Sequence, residues 1–186
     1  MNGPVALSNV TLYTERLILR PWQEKDLEDL FLYASVEGVG ERAGWTHHKS
    51  REESLKVLTS FIKEKKTFAI VLKNSNKVIG SIGLEVCRSS LGEAYNPLIG
   101  REVGYVLGKD FWGQGLMTEA VKGVIDYSFN DLNYDFLSCV HYNYNIQSRR
   151  VIEKCGFTFY KDIQSRTRYG TIEDSKLYVL LNNRQV

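Results

Sequence analysis

Residues 101–123, REVGYVLGKDFWGQGLMTEAVKG, constrain the fold of this chain more than any other stretch. Val103, Tyr105 and Leu107 alternate along the first part and read as a strand. From Met117 onward, Met117, Ala120, Val121, Val124 and Ile125 recur at helical spacing, with Glu119, Lys122 and Asp126 between them. That pattern is an amphipathic helix with one buried face. A further apolar run, DFLSCVHY, follows at 135–142. Strand, helix, strand in succession is a crossover, so the two strands are expected to be parallel neighbours. Gly113 and Gly115 stand one residue apart where the helix begins, and the chemistry depends on what that loop holds.

The rest of the chain supplies the other layers. TLYTERLILRPW (11–22) reads as a first strand closed by Pro21, and EKDLEDLFLYAS as a helix with Leu27, Leu30 and Phe31 on one side. SREESLKVLTSFIKEKK opens with Ser50 and Glu53 in capping-box spacing and is expected to turn Leu55, Leu58 and Ile62 inward. TFAIVLK, the turn NSNK and VIGSIGLEV form a hairpin. After a polar loop at 88–100 come the crossover, then NIQSRRVIEKC as a helix stopped by Gly156, then two closing strands in FTFYKDI and SKLYVLL. The expectation is one α/β domain over 1–186, with seven strands and four helices. With 186 residues the chain is long enough to bury a proper core.

Composition narrows the function classes. Lys and Arg total 24 against 22 Asp and Glu, a net charge of +2, which gives no electrostatic footprint for nucleic acid. No apolar run approaches the roughly 18 residues of a membrane span. The N-terminal segment lacks the basic and apolar regions of a leader, and Cys87, Cys139 and Cys155 are an odd, scattered set without CxxC spacing. Both point to a cytoplasmic protein with reduced thiols.

The glycine loop has two readings. A helix N-terminus offers unpaired N–H groups and partial positive charge, and glycines let an anion approach the backbone closely. Residues 113–118 then make a phosphate cradle. Alternatively, the loop is a tight turn needing positive φ that binds nothing. It is not a P-loop, for no Lys-Ser/Thr follows the second glycine, and no third glycine completes a dinucleotide fingerprint.

A second segment, NYNIQSRRVIEKCGF (143–157), resembles the N-x-x-S/A…K-x-G-F signature of GNAT N-acetyltransferases, and the loop resembles their pyrophosphate-binding Gln/Arg-x-x-Gly-x-Gly/Ala element. That element maps onto Trp112, Gly113, Gln114, Gly115, Leu116 and Met117, where Trp112 and Met117 depart from the general pattern. W-G-x-G-x-x-T-E-A together with TERLILRPW is similar to the branch that acetylates ribosomal-protein N-termini (Rim-type). The resemblance runs from about Thr14 to Leu181. It implies the acyl-CoA N-acyltransferase fold: a mixed, mostly antiparallel sheet whose parallel fourth and fifth strands splay around acetyl-CoA. It also implies direct acetyl transfer to a primary amine, favouring a protein N-terminal α-amine, for example of a ribosomal protein. A polyamine, amino acid or aminoglycoside is the alternative acceptor, and a non-catalytic acyl-CoA-binding domain the alternative class. Expected partners are acetyl-CoA and the amine acceptor, with neither nucleic acid nor membrane; a homodimer is compatible with the sequence.

Site roles follow from that resemblance. Backbone groups at Tyr105, Val106 and Leu107 and the loop through Thr118 are expected to hold acetyl-CoA, as is Asn145. Glu102 is the candidate base, acting through water, or else one half of a sheet-edge ion pair; Glu85 is the competing carboxylate. Many relatives place a tyrosine seven residues after the Asn, where this chain has Ile152. Ser148, three residues after Asn145, is then the hydroxyl for the departing sulfur, or a helix cap. Adjacent His47 and His48 point apart and complete no metal set, so no metal is expected. His141 reads as a core or cleft residue and Cys155 as a packed thiol.

Overall fold

The crossover sits at the centre of the molecule. In the computed structural model, which describes residues 2–182, the strand β5 (Gly100–Leu107) leads through the glycine loop into a helix, Leu116–Asn130, and on to the strand β6 (Phe136–Tyr142). These two are the parallel pair of the sheet, and all other neighbours are antiparallel. Before them come β1 (Leu12–Tyr13), β2 (Leu17–Pro21), the helices α1 (Leu27–Ala34) and α2 (Arg51–Glu64), β3 (Thr67–Leu72) and β4 (Lys77–Glu85). The central helix is thus α3, followed after β6 by α4 (Ile146–Lys154), β7 (Thr158–Arg166) and β8 (Ile172–Leu181). The sheet order is β1-β2-β3-β4-β5-β6-β8-β7, so β8 returns between β6 and the edge strand β7.

The sheet carries a core on each face. On the back, α3 and α4 pack Met117, Ala120, Val121, Val124 and Ile152 onto Leu17, Leu19, Phe68, Ile82, Val103 and Leu137. On the front, α1 and α2 cover Ala69, Val71 and Val78 with Leu30, Tyr33 and Leu58. Farther along the front, the connection after β4 lays Leu91 and Tyr95 on Phe136, Leu177 and Val179.

Two expectations are corrected. The sheet has eight strands rather than seven, because residues 11–22 fold back on themselves, pairing Leu12 with Leu19 and Tyr13 with Ile18. The turn is held by Glu119 of α3, whose Oε1 accepts from the Thr14 hydroxyl at 2.6 Å and from the Arg16 backbone N–H at 2.7 Å. Its Oε2 accepts from Arg16 Nε at 2.7 Å. In α2, Leu58 is buried but Leu55 and Ile62 are exposed, at 49% and 37%. The inward face is Ser54, Val57, Leu58 and Phe61, since the helix is rotated by two anchors: Ser54 Oγ lies 2.7 Å from His48 Nδ1, and Phe61 stacks on Trp22 at 5.2 Å.

The Glu119 latch gives a stability prediction. Glu119→Ala removes the acceptor of the Arg16 N–H and leaves the Thr14 hydroxyl only the Leu17 carbonyl at 3.4 Å, and should lower the unfolding free energy by about 1 kcal/mol in urea titration. An unchanged midpoint would show that the turn is held without it.

Candidate active site

A cleft opens where the parallel pair gives up its ladder. β5 and β6 are in register at Gly100–Phe136, Arg101–Leu137 and Glu102–Ser138, and then part. Beyond Glu102 the facing edges of the two strands line a cleft of about 750 Å³. At its far end α3 begins at Gly115, with φ +77°, preceded by Gly113, with φ +75°. No side chain caps α3, so its first-turn N–H groups are left to the cleft. A Cβ on Gly113 would meet nothing within 4 Å, which marks open space over the loop. Gly113, Gly115, Leu116, Met117 and Thr118 all border the cleft. Gln114 turns away: its Nε2 donates to the Asp110 carbonyl at 3.0 Å, and its own carbonyl accepts from Arg16 Nη1 at 3.0 Å. Arg150 and Lys154 on α4 line the same cleft and form no ion pair among the described residues. An open loop of N–H groups with two free cations suits a polyphosphate.

Along the cleft, side chains from β5 and α4 meet. Asn145 is the cap of α4: its Oδ1 accepts from the Ser148 N–H at 3.1 Å. Ser148 is therefore not the cap, and its hydroxyl instead lies 2.9 Å from the Tyr105 hydroxyl, which reaches across from the back face of β5. Burial raises the Tyr105 pKa well above the ordinary value, so it stays protonated and can donate. Val106 points to the front core, and Leu107 is buried with its carbonyl accepting from the Trp112 indole at 2.7 Å. Arg42, between α1 and α2, lies over the Trp112 ring at 5.2 Å and donates to Gln147 Oε1 at 2.6 Å. Its carbonyl accepts from Asn145 Nδ2 at 3.1 Å, so this connection arches over the cleft.

The two carboxylates stand side by side on the front face, for Glu85 and Glu102 are cross-strand partners. Their environments divide them. Glu85 is ion-paired to Lys66 at 2.7 Å, and the same ammonium holds Glu64 at 2.7 Å. Glu102 has no cation within ion-pair reach among the described residues. Burial pushes its pKa up to about 7, the charge and backbone N–H of Arg88 pull it down, and Glu85 adds to the rise.

Other groups separate cleanly. His47 Nδ1 lies 2.8 Å from Glu41 while His48 turns to Ser54, so the adjacent rings diverge. Cys155 is buried with its Sγ 3.7 Å from the Thr118 carbonyl, and burial raises its pKa to about 11, far from a thiolate. His141 faces α4, with Nδ1 2.8 Å from the Tyr142 carbonyl and Nε2 without a partner. Sequence reasoning missed Arg42, Lys66 and the hairpin between β7 and β8, which joins the mouth through the Arg168 N–H to the Gly44 carbonyl at 2.7 Å. The Arg-Thr-Arg run at 166–168 was the only signal for the last, and it needs the fold to acquire meaning.

Glu102 carries a pH signature in stability. A carboxyl with its folded pKa above the unfolded one stabilises the protein below the unfolded value, and that contribution is lost as pH rises through the folded value. Glu102→Gln keeps an acceptor for Arg88 N–H and cannot ionise. It should match the wild type near pH 4.5 and exceed it by about 1–3 kcal/mol at pH 8, after allowance for partial solvent access. Urea unfolding at both pH values reads this out; equal differences at the two would remove the strain assigned to the Glu102 carboxylate.

Comparison with known proteins agrees with this geometry. Residues 16–158 match the family model described as an acetyltransferase (GNAT) domain. The chain is 30% identical over 152 residues to the uncharacterized N-acetyltransferase p20 of Bacillus licheniformis, covering 79% of this chain and 82% of that protein. Among solved structures, a GNAT-family acetyltransferase from Bacillus anthracis superposes with TM-score 0.80 at 22% identity, covering 94% of this chain and all of that one. The ribosomal-protein-S5-alanine acetyltransferase from Vibrio fischeri superposes with TM-score 0.73 at 22% identity, covering 96% and 100%. With a strand pair parted around a glycine-lined cleft and a family model spanning most of its length, this chain belongs to the GNAT N-acetyltransferases, enzymes that take the acetyl group from acetyl-CoA.

Proposed function

We propose that this enzyme, as a single cytoplasmic domain, acetylates the N-terminal α-amine of a protein, a ribosomal protein being the favoured kind. The observation that carries the catalytic part is the unpaired Glu102, held beside a neutralised Glu85 at the point where β5 leaves β6. The acceptor is inferred from the Rim-type motifs WGQG and TEA, with the likeness in fold to the Vibrio fischeri alanine acetyltransferase as support for the architecture only.

Bound acetyl-CoA supplies an activated acetyl thioester. The chain's own groups then have distinct tasks. Residues 113 and 115–118, with Arg150 and Lys154, hold the phosphates, and Asn145 with the free edge of β5 at Tyr105 and Val106 orients the arm. An amine attacks only when neutral, and an ammonium in water is mostly protonated at pH 7. Glu102, with a pKa of about 7, is matched to accept that proton, directly or through one water. N–H groups on the unpaired edge of β5 can receive the charge that builds on the acetyl oxygen, as preorganised donors. Ser148 presents its O–H to the departing sulfur, and the Tyr105 hydroxyl, 2.9 Å from Ser148 Oγ and 3.2 Å from the Ser148 carbonyl, holds it in place and can replenish the proton.

Thioester turnover against a panel of N-terminal peptides, amino acids, polyamines and aminoglycosides tests the reading. Peptides should be the best acceptors, whereas a CoA-binding domain would release no CoA with any of them. kcat/KM should rise with pH to a plateau through an apparent pKa near 7, because the base must be ionised. Glu102→Gln should reduce kcat by about 100-fold and replace that limb by the acceptor amine's own titration, at about 8. A variant within a few-fold of wild type would assign proton removal to Glu85 or to solvent.

Ser148 has its own test. Since Asn145 is the cap, Ser148→Ala removes no cap and should leave the thermal midpoint nearly unchanged. kcat should fall by about tenfold or more with little change in acetyl-CoA affinity, as expected for a donor used mainly in the transition state. Tyr105→Phe should lower kcat by a smaller factor. Full turnover in Ser148→Ala would take the serine off the reaction path.

A further inference from the structure

The lining of the cleft extends along the front face of the sheet, and its charge there is unlike that of the chain as a whole. Three segments frame it: the connection between α1 and α2, the connection after β4, and the hairpin between β7 and β8. The second contributes Arg88 to the lining, and the third contributes Arg166, at the end of β7, and Arg168. Arg88 and Arg168 both act electrostatically on Tyr142, so both lie within range of one phenol. That ring abuts the first segment, since a Cβ on Gly44 would come within 2.1 Å of the Tyr142 hydroxyl.

None of these three guanidinium groups has an ion pair among the described residues. The carboxylates nearby have contact partners other than these arginines, with Arg168 acting on Glu64 only through space. Glu85 and Glu64 share Lys66, each at 2.7 Å. Glu41 accepts from the N–H groups of Gly38 and His47 and pairs with the His47 ring. Glu173 accepts from the Thr171 hydroxyl at 2.9 Å, and its charge also reaches Tyr142, in the opposite sense to the two arginines. Arg88 gives its backbone N–H to Glu102 and its charge also acts on that carboxylate, but the guanidinium makes no ion-pair contact among the described residues. The polyphosphate end has cations of its own in Arg150 and Lys154, on α4, so the front arginines exceed what acetyl-CoA calls for.

Unpaired guanidinium groups around a concave mouth raise the local potential and favour planar anions, while repelling a second positive charge on an incoming amine. We propose that the acceptor is an amine with carboxylates close behind it: an N-terminal segment bearing Asp or Glu within its first few residues, read by Arg88, Arg166 and Arg168. This rests on the N-terminal acceptor reading and refines it. The same chemistry is offered by a free acidic amino acid, and polycations such as spermidine or an aminoglycoside are disfavoured.

The test compares kcat/KM of the full chain for three peptides with a common N-terminal residue, followed by Asp-Glu, Gly-Gly or Lys-Arg, alongside free glutamate and spermidine. At low salt the acidic peptide should exceed the basic one by about tenfold or more, and the gap should narrow as screening shortens the range of the charges. Replacing Arg88 and Arg168 together by Gln leaves the Arg168 N–H to Gly44 intact. It should cut the acidic-over-basic ratio of kcat/KM by about three- to tenfold, a ratio in which the effect of the lost Arg88 charge on Glu102 is common to both peptides and cancels. Equal use of acidic and basic peptides would overturn the charge inference and leave N-terminal acetylation standing. Turnover of glutamate but of no peptide would keep the anionic amine and overturn the protein acceptor. Preference for spermidine, or no turnover of any of the five, would overturn both.

Discussion

Three ladder positions hold β5 and β6 together, and the loss of every later one is what the rest of the molecule is arranged around. A sheet that paired fully here would have no cleft and no free edge on β5. Strands that part leave backbone groups needing partners, so the divergence persists only because other elements fix both sides. On one side, β4 pairs with β5 along six positions from Gly80–Leu107 to Glu85–Glu102. On the other, β8 pairs with β6 over its whole length, from Phe136 to Tyr142. Each half of the sheet is locked to a different neighbour, and the gap lies between them.

The same divergence sorts the titratable groups. Glu85 and Glu102 begin as equivalent cross-strand partners, and two carboxylates side by side oppose each other's ionisation. Lys66 breaks the symmetry by taking Glu85, together with Glu64, while Glu102 sits at the last paired position before the opening. One carboxylate is thereby structural and the other is left at the mouth of the cleft with a pKa near neutrality. On the far wall, the division of labour between Asn145 as cap and Ser148 as free hydroxyl has a similar logic. A cap taken by one residue releases the next polar side chain to face Tyr105.

α3 connects the two ends of this arrangement. Its Glu119 clamps the Thr14–Arg16 turn, and Arg16 in turn donates to the Gln114 carbonyl of the glycine loop. The loop is therefore braced from outside, by Arg16 of the N-terminal hairpin beside Gly115, while its open side at Gly113 borders the cleft. The sequence elements TER and TEA, read separately as family marks, are one hydrogen-bonded unit in space.

Much of this was legible in the chain itself, because periodicity and turn chemistry are local. The strand–loop–helix of 101–123, the parallel crossover, the four helices and the stop at Gly156 all follow from the spacing of apolar residues and glycines, whereas spacing alone left the glycine loop open between a phosphate cradle and an empty turn. The candidate base and the Asn145–Ser148 pair were reached through motif resemblance. What the sequence could not express is any property that depends on which residues meet across the sheet. Leu55 and Ile62 have the right period to be buried, yet contacts at Ser54 and Phe61 rotate α2 so that both face solvent. A distant glutamate turned one expected strand into two. The choice between Glu102 and Glu85 needed the position of Lys66. The assembly of Arg88, Arg166 and Arg168 into one mouth needed the hairpin between β7 and β8 to be folded onto Gly44. Local patterns determined the elements; long-range partners, whose separation in sequence carries no signal, decided which charges are free.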